Sequence, residues 1–193
     1  MQTAPVSFAA VICLMSLALT IPQQSSAPAQ TPSHHDGVTA RGDHAMGFSH
    51  ETSAHHFVLY KTGGAIDVSV KDPKDSATRA EIRMHLSYIS KRFTAGDFDV
   101  PMFIHDTTPP GAATMAKLRE QIRYAYSETP NGGKILISSD NREALQAIHA
   151  FLRFQISDHR TGDATEVQLA DRRSVVDRIS VVVRPIYFSS AFR

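Results

Sequence analysis

Apolar and polar residues alternate along two stretches of this chain in the period-two rhythm of a half-buried strand, and each stretch leads into an apolar series at helical spacing. Ile66, Val68 and Val70 alternate with Asp67 and Ser69, so one side of a strand meets a core and the other meets water. Ile82, Leu86, Ile89 and Phe93 then recur every three or four residues and form one stripe along a helix. Further on, Ile122, Tyr124 and Tyr126 alternate with Arg123, Ala125 and Ser127, and Ile135 with Ile137 marks a short β-run. Leu145, Ile148, Leu152 and Ile156 make the second helical stripe. Phe57 to Tyr60 adds a short β-rich run ahead of the first series.

The punctuation between these runs is similar. Gly63-Gly64 and Gly132-Gly133 read as turn glycines of two hairpins, supplying the positive φ that a tight connection needs. Asp72-Pro73-x-Asp75 starts the first helix and Gly96 ends it, while Asp140-x-x-Glu143 reads as the capping box of the second. His85 lies beside the first stripe and His149 at the border of the second. Order, spacing and histidine placement describe one unit used twice, at 55–96 and 121–163, joined by a loop at 97–120. The fold class expected is α+β: a two-layer sandwich of two β-β-α units, with a four-stranded antiparallel sheet and two helices on one face. Gly96 to Gly111 is the longest irregular segment, and its Phe98, Val100, Met102, Phe103 and Ile104 predict a loop folded back on the domain.

The ends differ from this 46–163 domain. Val6 to Ile21 is apolar and uncharged, and Ala27-Pro28-Ala29 has the small-x-small pattern of a cleavage site, so 1–29 reads as a signal peptide. The expected destination is periplasmic or secreted, with no stable membrane span after cleavage. Residues 30–45 carry almost nothing apolar and predict a disordered leader. Residues 164–193 depart from the pattern: Ile179 to Val183 is β-prone, Pro185 interrupts it, and no role can be assigned to the tail from its sequence.

Composition narrows the chemistry. The single cysteine, Cys13, falls in the signal, which excludes cysteine nucleophiles, thiolate zinc sites and iron–sulfur clusters from the remainder. A net charge of +1 provides no concentrated basic face for nucleic acid. All ten histidines follow residue 29, and without cysteine they are the main candidates for borderline metal ligands. His56 on the first strand, His85 on the first helix, and Met102 with His105 on the long loop form the candidate set, with copper ahead of zinc because thioether sulfur favours Cu(I). The alternative for these residues is packing: Met84 and Met102 as core fillers, His85 and His149 as border residues with a ring nitrogen on backbone.

Two other functions compete. His105-Asp106 and Asp158-His159 put a carboxylate beside an imidazole in sequence, and either histidine could serve a small hydrolase as general base. No G-x-S-x-G elbow accompanies them, and the paired glycines lie between strands where a phosphate loop would lie before a helix. A sheet covered on one face also predicts association, as a homodimer or with a protein partner, through Tyr60, Leu136, Tyr124 or Tyr126.

Taken together, Met46-Gly47-Phe48, His55-His56-Phe57, Ile82-Arg83-Met84-His85-Leu86, Ala95-Gly96-Asp97-Phe98 and the run from Ile148 to Asp163 are similar to an uncharacterised group of exported bacterial proteins. The resemblance spans roughly Arg41 to Asp163 and implies export, with no functional residue to carry over. The leading expectation is therefore a non-catalytic exported protein that binds a transition metal.

Overall fold

The computed structural model describes residues 33–168. The expected signal peptide and most of the expected tail lie outside these residues. Strands β1 (Ser53–Tyr60), β2 (Gly63–Val70), β3 (Ile122–Thr129) and β4 (Gly132–Ser139) form one antiparallel sheet in the order β1-β2-β4-β3. Helices α2 (Ser76–Thr94) and α5 (Arg142–Asp158) cover one face, and α1 (His34–Met46), α3 (Asp99–His105) and α4 (Ala112–Lys117) fill in around them. The fold is the α+β two-layer arrangement of two β-β-α units that the alternation predicts.

Its core lies between sheet and helices. Ile82, Leu86, Ile89 and Phe93 of α2 and Ile148, Phe151, Leu152 and Ile156 of α5 are buried against Phe57, Leu59, Ile66, Val68, Ile135 and Ile137. Tyr124 and Tyr126 also face this layer, which removes them from the association surface expected on the open face. Tyr60 and Leu136 remain there, beside an ion pair of Asp67 with Lys134 at 2.8 Å. Among the described residues, no helix is long and apolar enough to cross a membrane.

The glycine pairs have a different task from the one expected. The hairpins turn at Lys61-Thr62 and Pro130-Asn131, and each glycine pair opens an inner strand. A Cβ on Gly63 would stand 2.0 Å from the Ile137 carbonyl oxygen, and one on Gly132 2.0 Å from that of Val68. Gly64 and Gly133 lie under Leu152 of α5 and Leu86 of α2, where a Cβ would come within 2.2 and 3.1 Å. The glycines let the two central strands and the two helices close on one another.

The two units are joined by matching contacts. Arg83 of α2 donates to the carbonyls of Thr129 and Gly132, at 2.7 and 3.1 Å. His149 of α5 donates from Nε2 to the carbonyls of Tyr60 and Gly63, at 2.9 and 3.0 Å. Each helix therefore clasps the turn of the other unit's hairpin. The partner of His149 in this scheme is Arg83, so the placement of His85 and His149 expected to match across the units does not.

Helix starts shift slightly from the expected caps. Asp75 accepts from the Thr78 amide at the start of α2, while Asp72 shapes the preceding turn by accepting from the Lys74 and Asp75 amides. Asn141 accepts from the Ala144 amide at the start of α5, in place of the expected box from Asp140 to Glu143.

Two segments expected to be irregular are helical. The leader forms α1, started by a reciprocal Ser33–Asp36 capping box and ended by Gly47 with φ 81°. Only Val38 and Gly42 of it are buried, so it has no apolar stripe for the sequence to reveal. The expected irregular segment, Gly96 to Gly111, contains α3, whose Ile104 is buried as its apolar content predicts, and α4 after it buries Met115.

Beyond α5 the chain runs along the outer edge of β1. The Phe57 amide donates to Asp163 Oδ2 at 2.9 Å, and the Gln168 amide donates to the Leu59 carbonyl at 2.7 Å. An otherwise bare strand edge is thereby covered.

Candidate functional site

The period of β1 decides which of its paired histidines meets the interior. Phe57 and Leu59 are buried under the helices, so His55 shares their face and His56 takes the opposite one. At the end of α5, Asp158 and the C-cap His159 follow Gln155 by three and four residues, which sets both beside it on the last turn. Arg160 then turns with φ 53°, and Asp163 anchors the chain to β1 through the Phe57 amide and, at 2.9 Å, His56 Nδ1. These constraints set the His159 ring parallel to His55, with centroids 5.8 Å apart, and over Phe57 at the same distance.

Other elements complete the cluster. Phe48 stacks on His55 at 6.0 Å and meets His85 of α2 edge-on at 5.7 Å. His105, fully buried at the end of α3, approaches His159 edge-on with centroids 4.9 Å apart. His55, His85, His105, His159, Gln155 and Met46 line a cavity of about 60 Å³.

The imidazoles are of two kinds. Burial pulls His55 and His85 down to about 4 and His159 down to about 3, and neighbouring imidazoles push His55 and His159 further in that direction. At neutral pH all three rings are uncharged, and among the described residues none has a hydrogen-bond partner. His105 is held at both nitrogens: Nδ1 lies 2.5 Å from Asp158 Oδ2 and Nε2 3.0 Å from Gln155 Oε1. Burial pushes Asp158 upward, but hydrogen bonds from His105 and from His34 of α1 outweigh it and hold the carboxyl below its ordinary value. With Asp158 ionised, His105 Nδ1 is the donor and its Nε2 accepts, so the Gln155 amide is read turned to present its nitrogen, in place of Oε1, to that ring. The turn also gives a partner to Gln155 Nε2, which is otherwise buried without one.

The four ligands expected from the sequence are separated. His85 and His105 line the cavity, whereas His56 is tied to Asp163 with half its side chain exposed, and Met102 is 39% exposed on α3. Met84 is 70% exposed and fills no core. His55, His159 and Met46 line the cavity in their place; the two histidines were detectable from the parity of β1 and from the end of the α5 stripe. Among the described residues, no three His, Asp or Glu side chains stand close enough as placed to hold a metal ion. The acid–imidazole pairs adjacent in sequence are also exchanged: His105 binds Asp158, and Asp106 instead caps α3 with φ 53°. As a general base, His105 would have its free nitrogen covered by Gln155.

The equivalent place in the other half is built from Phe and Tyr rings. Counting two residues on from the matched pair Arg83 and His149 brings His85 against Phe151, and ten residues on brings Phe93 against His159. Counting five back from the clasped carbonyls of Tyr60 and Thr129 brings His55 against Tyr124. Phe93 meets Tyr124 at 5.7 Å and Phe151 at 5.9 Å, while in the first half His55 stacks on His159 and His85 lines the same cavity, edge-on to Phe48. No family model matches this chain, and neither does any curated protein or solved structure with which it was compared.

Proposed function

We propose that this chain is an exported, non-catalytic protein that binds a transition metal ion, zinc or copper, on the imidazoles of His55, His85 and His159. The observation that carries the reading is their lack of partners. Three rings are kept neutral by burial, without compensating hydrogen bonds, at positions where the same architecture elsewhere uses Phe and Tyr. A neutral imidazole lone pair is the commonest metal ligand. The His55 and His159 centroids, 5.8 Å apart, are within side-chain rotation of a common ion, given metal–nitrogen bonds of about 2.0 Å, and His85 lines the same cavity. His105 has the carboxylate on its far nitrogen that orients ligand histidines, and would join if the Gln155 amide swung aside. Met46 in the same wall offers the thioether that favours Cu(I).

The test is titration of the chain from residue 30 with zinc and with copper, beside the His55→Ala/His159→Ala and His56→Ala/Met102→Ala variants. Stoichiometric, sub-micromolar binding should vanish in the first variant and persist in the second. Unchanged binding in the first would remove the site.

One observation favours a second reading, self-association through β3. The outer edge of β1 is covered by 163–168, whereas among the described residues the outer backbone of β3 has no such cover.

A further inference from the structure

The backbone of β3 carries a set of unmet hydrogen-bonding groups whose positions can be read from β1. On the outer side of β1 the Phe57 amide donates to Asp163 and the Leu59 carbonyl accepts from the Gln168 amide. Strands β3 and β4 pair in the same register as β1 and β2, with Thr129 opposite Gly132 as Tyr60 is opposite Gly63. Tyr126 and Glu128 therefore hold the places of Phe57 and Leu59, and the outward amides and carbonyls of β3 are those of Ile122, Tyr124, Tyr126 and Glu128. The Ile122 amide is taken by the Arg119 carbonyl. Among the described residues the other outward groups meet no partner.

Such an edge is a template for another strand unless a proline, a bulge or charge along its length blunts it. The pairing of β3 with β4 runs unbroken from Ile122 to Thr129, and Pro130 falls in the turn beyond it. Its charges, Arg123 and Glu128, stand near its two ends, and its exposed middle is Ala125 and Ser127.

We propose that β3 pairs antiparallel with β3 of a second copy of this chain, about a two-fold axis at Ala125, so that one sheet runs through both copies. The inference rests on the reading of self-association through β3 and adds the register of the partner. A symmetric antiparallel pair must bring outward residues against outward residues, which confines the axis to Tyr124, Ala125 or Tyr126 if the strands are to overlap along most of their length. With the axis at Ala125, Tyr124 and the partner's Tyr126 exchange both bonds. The partner's Glu128 amide donates to the Ile122 carbonyl, the one outward group that residue has left. The tyrosine pair forms on each side of the axis, Arg123 faces Ser127 and Glu128 faces Ile122, so no like charges meet. An axis at Tyr124 leaves the Glu128 groups unused. An axis at Tyr126 forms one tyrosine pair and sets Glu128 against Tyr124. The partner's turn then comes beside Glu120 and Gln121, which border an open cleft of about 430 Å³ and leave it room.

The experiment uses the chain from residue 30, which leaves out Cys13, so one introduced cysteine is the only thiol. Opposite residues of a non-hydrogen-bonded pair have Cα atoms about 4.5 Å apart, within reach of a disulfide. Ala125 and Ser127 are both exposed, so Ala125→Cys and Ser127→Cys leave the core intact. Sedimentation of the wild type should show a reversible dimer as concentration rises. Mild oxidation should link the Ala125→Cys chains roughly tenfold or more faster than the Ser127→Cys chains, because only the former thiols are held together. A dimer in which the two variants link at equal rates, or Ser127→Cys faster, overturns the register and leaves association through β3 standing. A dimer that Glu128→Pro does not weaken lies on another surface, and a wild type that stays monomeric at every concentration has none; either result overturns the register and the reading beneath it.

Discussion

The two halves of this domain solve one packing problem with different side chains. In the second half Phe93, Tyr124 and Phe151 form a cluster of aromatic rings, with the Tyr124 hydroxyl buried and unpartnered. In the first half His159, His55 and His85 occupy the matching places, half-buried and, among the described residues, without a hydrogen bond from the ring. Both clusters have a third-party aromatic against them, Phe98 on Phe93 and Phe151, Phe48 on His55 and His85. The backbone therefore does not require imidazole at these positions. What distinguishes the halves is the availability of lone pairs; the aromatic half carries its own unpaired group, the Tyr124 hydroxyl, buried without a partner.

Exchanging the two kinds of ring is the strongest way to break the comparison. Phe93→Ala should destabilise by roughly 3–5 kcal/mol in urea denaturation, as for other large buried rings. His159→Phe should leave the metal-free protein as stable or more so. The two variants should also differ in acid. A histidine whose folded-state pKa lies below its unfolded value of about 6.5 contributes in full above that pH and loses its contribution as pH falls. With folded values near 4, 4 and 3, the window for His55, His85 and His159 runs from about pH 6.5 down to about 3. The metal-free protein should lose up to a few kcal/mol across it, and His159→Phe should flatten the profile. A wild-type stability independent of pH between 6.5 and 4 would show that these rings are better solvated than their surroundings imply.

The clasps between halves come next. Arg83→Ala and His149→Ala each free two hairpin carbonyls and should cost about 1–3 kcal/mol. The arginine change should cost more, because its bonds carry charge. Equal costs would indicate that the shared carbonyl geometry, and not the donor, sets the energy.

The smallest effect concerns the edges. Glu128→Pro removes an amide that, by its match to Leu59, points outward from β3, so folding stability should change by less than about 1 kcal/mol. Sedimentation should nonetheless show weaker self-association if β3 is the contact. Asp163→Asn would expose the opposite edge, and association gained there would confirm that cover is what differs between the two strands.

Much of the architecture was readable because the relevant residues repeat at a fixed period. Ile66, Val68 and Val70 settle one strand, and Ile82, Leu86, Ile89 and Phe93 settle one helix, without help from distant residues. Helix α1 escaped the same reading because it buries only Val38 among its side chains and relies on a cap and on Arg41 to hold it. The glycine pairs were visible, but their purpose depends on Ile137 and Val68, carbonyls in strands far away in sequence. The site was harder still. His55 and His56 differ by a single step of strand parity, and His105 finds its carboxylate 53 residues away while an aspartate sits next to it in the chain.

The strap over β1 also governs the order in which the protein can be made. Synthesis delivers the first hairpin early, but Asp163 and Gln168, which satisfy the Phe57 amide and the Leu59 carbonyl, arrive more than a hundred residues later. Until then β1 is an unfinished edge on a half-built sheet, and unfinished edges recruit strands from other chains. A ribosome stalled, or a chain clipped, just before Asp163 would release a protein with both helices of its sandwich present and its first strand still adhesive. Fragments ending there should collect in the insoluble fraction, and those reaching Gln168 should not.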